Sequence, residues 1–302
     1  MTARSRAELA LAGITVIWGS TFVLVKSALA DVSTYLFLTL RFTVAAIALV
    51  AIYRGALKRK GIGPGIFAGC LLFTAYVCQT LGLELTTPSK SAFLTGLSIP
   101  MVPLASSLVY RIRPQPLEII GILVASFGMA LMTLPSGSSG LSFSISRGDF
   151  LSLLCAVIFA LHIVVVSHYS PVIGFQTVAV LQVAAAAVLG MGSVFLAGPV
   201  RFHLTPQVGA TVLITGLLAT ALAFTTMAWA QNYTTATRSA LIFSLEPVVA
   251  WITSFILTGE TLPLRAGFGA GLILAGILIV EARAGKPAPV SNETKTAKEA
   301  SK

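Results

Sequence analysis

Charge is scarce in this 302-residue chain. Only 10% of its residues are Asp, Glu, Lys or Arg, against about 25% in an ordinary soluble domain. Acids are the scarcer sign, 10 against 20 bases. So little charge excludes a single water-facing globule. Cysteine is sparse too: Cys70, Cys78 and Cys155 all sit in apolar runs, with no C-x-x-C. That excludes a disulfide framework or cysteine metal site and leaves them as small packing residues. His162 has no second ligand at i+3 or i+4, so no metal is expected. There is no P-loop, no G-x-G-x-x-G and no H-E-x-x-H. ATP drive, cofactor chemistry and catalysis therefore have no support. The short alternating segments of an outer-membrane barrel are also missing,.

What is present is apolar length. Hydrophobic residues make up 56% of the chain, and mean hydropathy is +0.92. About 20 apolar residues span a bilayer as a helix. The expected class is therefore an all-α polytopic membrane protein. Spans are predicted near Glu8–Ala28, Thr34–Tyr53, Gly63–Glu84, Pro88–Tyr110 and Pro116–Thr133. A Ser/Gly-rich linker follows (135–147). Five more spans lie near Asp149–His168, Gly174–Ala197, Pro206–Gln231, Thr234–Leu257 and Leu262–Ala282. Residues 1–8 form a short N-terminus, and the Lys- and Pro-containing tail (283–302) is expected to be disordered,. The N-terminal run resembles a signal peptide, but it is too long, is interrupted by Trp18-Gly19-Ser20, and carries Lys26 just before the A-x-A site,.

Two stretches echo each other. Thr86-Thr87, Lys90, Ser91-Ala92 and Leu97 match Thr234-Thr235, Arg238, Ser239-Ala240 and Leu245 at an offset of 148 residues. Gly121 and Gly128 match Gly269 and Gly276 at the same offset. Five spans, a linker and five spans read as a duplication, 9–134 and 148–282. An odd number of spans per copy makes the second copy enter from the other side. The expected fold is thus ten transmembrane helices in two inverted five-helix repeats, an architecture of secondary transporters.

Net charge is +10, with one real basic cluster, Arg54, Lys58, Arg59 and Lys60. Scattered bases between apolar runs read as loop charge under the positive-inside rule, not as nucleic-acid binding. With the N-terminus inside, 14 bases fall on the inner side, 4 on the outer, and Lys26 and Arg41 within spans. Both termini are expected in the cytoplasm of a bacterial inner membrane.

The segments WGSTFVLVKSAL (18–29), LTLRFTVAAIAL (38–49) and TTATRSALIFSLEPVVAWITSFILTGETL (234–262), with GFGAGLILAGILI (267–279), resemble the EamA-type repeat of the drug/metabolite transporter superfamily. The resemblance covers about Leu9–Glu281. It implies a central cavity lined by spans 1, 3, 4, 6, 8 and 9, and transport, most often export, of amino acids or other small metabolites. Phe159 stands where that family often has tryptophan, and Ser98 stands near the first-copy position of Glu246, so the acid is not duplicated.

Glu246 is the leading candidate. An acid at bilayer depth costs about 2.5–3.5 kcal/mol on insertion scales and usually faces a cavity or a partner. It either couples transport to protons or hydrogen-bonds backbone freed by Pro247. Arg41 either pairs with Glu246, holds a substrate carboxylate or snorkels; snorkelling is the expectation for Lys26. Trp18, Tyr76, Gln79, Ser98, His162 and Trp229 are further cavity candidates, each weighed against plain packing. Pro100, Pro103 and Pro247 are candidate hinges, or static kinks. The partners expected are the lipid bilayer and a small-molecule substrate, with proton coupling one option and oligomeric state open. A membrane scaffold or regulatory subunit with a sealed interior is the alternative from another class, and import is the alternative direction. An intramembrane enzyme would need paired acids, a Ser/Lys dyad or a metal cluster within the spans.

Overall fold

The computed structural model describes residues 1–86, 88–133, 146–195, 200–259 and 264–282. The expected linker, apart from residues 146–147, and the expected disordered tail lie outside the described residues. Named secondary structure among the described residues is entirely helical, apart from one β-bridge, Val32 to Phe202.

The helices are α1 (Ala3–Ala28), α2 (Thr34–Tyr53), α3 (Ile62–Glu84), α4 (Pro88–Gly96), α5 (Ser98–Tyr110), α6 (Pro116–Thr133), α7 (Arg147–Ile173), α8 (Phe175–Val194), α9 (Pro206–Gly216), α10 (Ala223–Ala230), α11 (Ala236–Phe243), α12 (Glu246–Thr258) and α13 (Leu264–Ala282). Eight helical segments are long and apolar enough to cross a membrane, and the apolar stretches Pro116–Leu131 and Gly267–Val280 are shorter.

Most bounds fall where hydropathy puts them, and local chemistry explains the differences. α1 starts five residues earlier than expected because Thr2 caps it, its hydroxyl accepting from the Ser5 amide,. α7 begins at a capping box, in which Ser146 and Asp149 satisfy each other's backbone amides,. It ends at Gly174, whose φ of 93° suits glycine,.

Three expected spans are not simple α-helices. The segment Pro88–Tyr110 breaks at Leu97, and Thr234–Leu257 breaks at Ser244-Leu245. Pro206–Ala230 carries a π-helical stretch, Leu217–Leu222. The breaks change how the prolines read. Pro247 is the second residue of α12 and Pro100 the third of α5. A first-turn amide has no helical acceptor anyway, so proline there costs the helix nothing. Pro103 is inside α5.

The helices are apolar all round, which suits burial in lipid. Leucines such as Leu108 and Leu278 face outward, while Arg41, Glu118, His162, Gln182 and Arg238 are buried inside. α2 packs on α8, α3 on α7 and α8, α1 on α12, and α6 on α13. The α6–α13 contact is tight and antiparallel. A Cβ on Gly121 would lie 2.7 Å from the Gly276 carbonyl oxygen, and one on Gly128 would lie 2.5 Å from that of Gly269.

Candidate functional site

Between the helices lies a small cavity of about 70 Å³. Its walls come from α1, α2, α3, α4, α5, α7, α10, α11 and α12. It runs from the level of Trp18 and Glu246 toward Val25 and Leu83. Lys26 stands at that end. Its ammonium donates to the carbonyls of Leu83, Glu84 and Thr86 at 2.8–3.0 Å, capping α3 with a cation.

Glu246 opens α12 and lines the cavity. Its placement at a helix start puts a carboxylate at the positive end of a helix dipole. α1 reaches it closely: a Cβ on Gly19 would lie 2.7 Å from the Glu246 carbonyl oxygen. Among the described residues no side chain forms an ion pair with Glu246.

Arg41 is 4% exposed and lines the same cavity. Its Nε donates to Thr220 Oγ1 at 2.7 Å, and its Nη2 to the Tyr76 hydroxyl at 2.9 Å and the Ala219 carbonyl at 3.3 Å. The guanidinium carbon also stands 4.3 Å from the Tyr76 ring centre, within cation–π range. Trp18 shares the Ala219 carbonyl, donating from Nε1 at 2.8 Å, and its ring packs against Phe224 and Phe243. Ala219 and Thr220 belong to the π-helical stretch. Such bulges widen a helix locally and recur at functional sites.

His162 is fully buried, with Nε2 2.7 Å from Gln182 Oε1. Tyr76, Gln79, Ser98 and His162 line the cavity; Trp229 is not in its lining, and its ring lies tilted against that of Tyr233, 5.5 Å between centroids. Sequence reading did not single out Thr220 and Gln182. Their only signal is polarity within an apolar run. It also placed Phe159 only as a departure, yet Phe159 is in the wall, edge-on to Tyr76.

The opposite end of the bundle carries a second set of charges. Arg238 Nε donates to Glu118 Oε1 at 3.1 Å, and its Nη1 lies 3.7 Å from Glu8 Oε1. Arg4 Nε donates to the same Glu8 oxygen at 2.7 Å. Thr234 and Thr235 add hydroxyl bonds to Glu8 and Glu118, and Glu118 also accepts from the Gln115 amide. This cluster ties α1, α6 and α11 together.

A model of the EamA-like transporter family matches residues 5–134 and again residues 146–282. An uncharacterized transporter of Archaeoglobus fulgidus is 34% identical over 281 residues, covering 93% of this chain and 87% of its own. The uncharacterized Bacillus subtilis transporter YoaV is 22% identical over 284 residues, covering 90% of this chain and 95% of its own. One crystal structure, 19% identical, matches with a TM-score of 0.76 over 93% of this chain and 99% of its own, a likeness of fold alone.

Proposed function

We propose, because the chain belongs to the EamA-like transporter family, that its membrane-transport role is secondary export of a small metabolite such as an amino acid, by alternating access. The observation that carries this reading is the central cavity, apolar-walled but holding Glu246 and Arg41 without a mutual ion pair. A scaffold has no use for such a space; a carrier needs it.

Ten spans in two inverted repeats give the cavity its two-sided access. The helix breaks at Leu97 and Leu245 are 148 residues apart, and Gly121 and Gly128 recur at the same offset as Gly269 and Gly276, which cross over in the α6–α13 contact so that Gly121 meets Gly276 and Gly128 meets Gly269. Each repeat thus supplies one broken helix, and Pro100 and Pro247 sit just past the breaks as hinge positions,; Pro103 is a third. With both termini in the cytoplasm of a bacterial inner membrane, the cavity reaches toward the outer face. The Glu8–Arg238–Glu118 cluster then closes the inner face. Glu246 is the group that binds and releases a proton during the cycle.

The test is flux in proteoliposomes holding the purified protein, after candidate substrates are found by screening overproducing cells for resistance to toxic amino acids, analogues and drugs. An imposed pH gradient should drive uptake or release of the best hit. Glu246→Gln should lose the gradient-driven part while the protein still folds and purifies. Unchanged gradient-driven flux in that variant removes the coupling role. No flux of any compound removes the transport reading.

A further inference from the structure

A guanidinium has five N–H donors. In Arg41 the Nε proton and both Nη2 protons are committed, to Thr220 Oγ1, the Tyr76 hydroxyl and the Ala219 carbonyl. Among the described residues no acceptor takes the two Nη1 protons, and no carboxylate lies within ion-pair distance. Arg41 is nevertheless a cavity wall residue. A buried cation held only by neutral acceptors and a ring face is short of an anion.

The π-helical stretch makes this arrangement rigid. The Thr220 hydroxyl donates to the Thr215 carbonyl five residues back, at 2.8 Å. Its oxygen is thereby turned to accept from Arg41 Nε. Ala219 presents its carbonyl to both Trp18 and Arg41. Two edges of the fork are pinned, so the third is fixed in space before any ligand arrives.

We infer that the Nη1 edge of Arg41 is an anion subsite that takes the carboxylate of the transported molecule, and that Thr220 is its positioning residue. Around that edge the wall is aromatic, with Trp18, Tyr76 and Phe224. The ligand class is therefore a small carboxylate with an apolar body. The inference rests on the transport reading but concerns binding, and the two are tested separately.

The experiment uses the full-length protein in nanodiscs with Trp229→Phe and Trp251→Phe, leaving Trp18 as the reporter among the chain's three tryptophans. Its indole shares a carbonyl with Arg41, so occupation of the subsite shifts its emission. The probes are L-leucine, 4-methylpentanoate, which lacks the ammonium group, and L-leucinamide, which lacks the carboxylate. Both carboxylates should bind saturably, and the amide roughly 10- to 100-fold more weakly, the scale of one charge-assisted hydrogen bond. Thr220→Val should shrink that carboxylate preference, and Thr220→Ser should restore it. A structural defect alone would weaken all three probes equally. Arg41→Lys keeps the charge without the fork and should fall between wild type and no preference.

Equal binding of leucine and its amide overturns the subsite, as does no saturable binding of either carboxylate, or a preference untouched by Thr220→Val. Leucine counterflow in proteoliposomes separates the two readings. Flux with no carboxylate preference leaves transport standing and the subsite refuted. Selective binding with no flux does the reverse.

Discussion

Arg238 and Arg41 are buried to nearly the same degree, 7% and 4% exposed, in opposite company. Arg238 stands between two carboxylates, Glu118 at 3.1 Å and Glu8 at 3.7 Å. Arg41 has a threonine hydroxyl, a tyrosine and a backbone carbonyl. The first charge is neutralised by the protein and joins helices from both halves of the chain. The second is solvated but not neutralised, and it faces empty space. Matched charge ties helices together at one end of the bundle; unmatched charge lines the cavity, where the proposed carboxylate subsite would complete the balance.

The difference is measurable, and the largest effect should come from removing each arginine. Arg238→Met leaves Glu8 and Glu118 short of their cation, a loss of about 3–5 kcal/mol for a broken buried pair. Arg41→Met leaves only neutral groups behind. Two of them keep other bonds: Ala219 to Trp18 and Thr220 to Thr215. Its cost should be about 1–3 kcal/mol. Thermal unfolding in detergent should therefore rank Arg238→Met well below Arg41→Met, while substrate binding ranks them the other way. Equal melting temperatures would erase the contrast.

A smaller effect is expected from single partners. Glu118→Gln keeps the shape and loses one charge-assisted bond, about 1.5–3 kcal/mol. Thr220→Val loses a charge-assisted bond to Arg41, about 1.5–3 kcal/mol, and one to Thr215, about 1 kcal/mol,. The two variants should therefore lose comparable stability, and only Thr220→Val should lower substrate affinity. Unchanged affinity in Thr220→Val would mean that Arg41 is structural.

The smallest effect sets the two tryptophans against each other. Trp18→Phe loses the Nε1 bond to Ala219, about 1 kcal/mol, and should also weaken binding. Trp229 lies outside the cavity lining, with its ring tilted against that of Tyr233. Trp229→Phe should change stability by only about 0.5 kcal/mol and leave binding unchanged. A large binding defect in Trp229→Phe would mean the cavity extends further than its present lining.

Much of the fold was legible because hydropathy is local. The bounds of α2 and α6 coincide with the expected spans to the residue. What local pattern missed was irregular backbone. Nothing in Leu217–Leu222 (LLATAL) announces a π-helical stretch. Its register is set by partners on α1 and α2 that pull on Ala219 and Thr220. The proline in LEP (245–247) suggested a kink within one helix. The chain instead ends one helix and starts another there, so proline occupies a first turn,. Of the candidate site, Glu246, Arg41, Trp18, Tyr76, Gln79, Ser98 and His162 stand in one wall. The polar ones stand out in sequence because a polar residue in an apolar span is costly unless it has a cavity or a partner.

Partner identity was not legible. Arg41 meets Thr220 across 179 residues of chain, and Arg238 meets Glu118 across 120. From the residues alone, Glu246 was as reasonable a partner for Arg41 as any neutral group. Composition and periodicity settle that a segment is apolar, how long it is, and that its halves echo at an offset of 148 residues. Those properties depend only on neighbours along the chain. Which charge is cancelled and which is left facing the cavity depends on how helices rotate and cross. That is set by close contacts such as Gly19 on α12 and Gly121 on Gly276, which exist only once the bundle has packed.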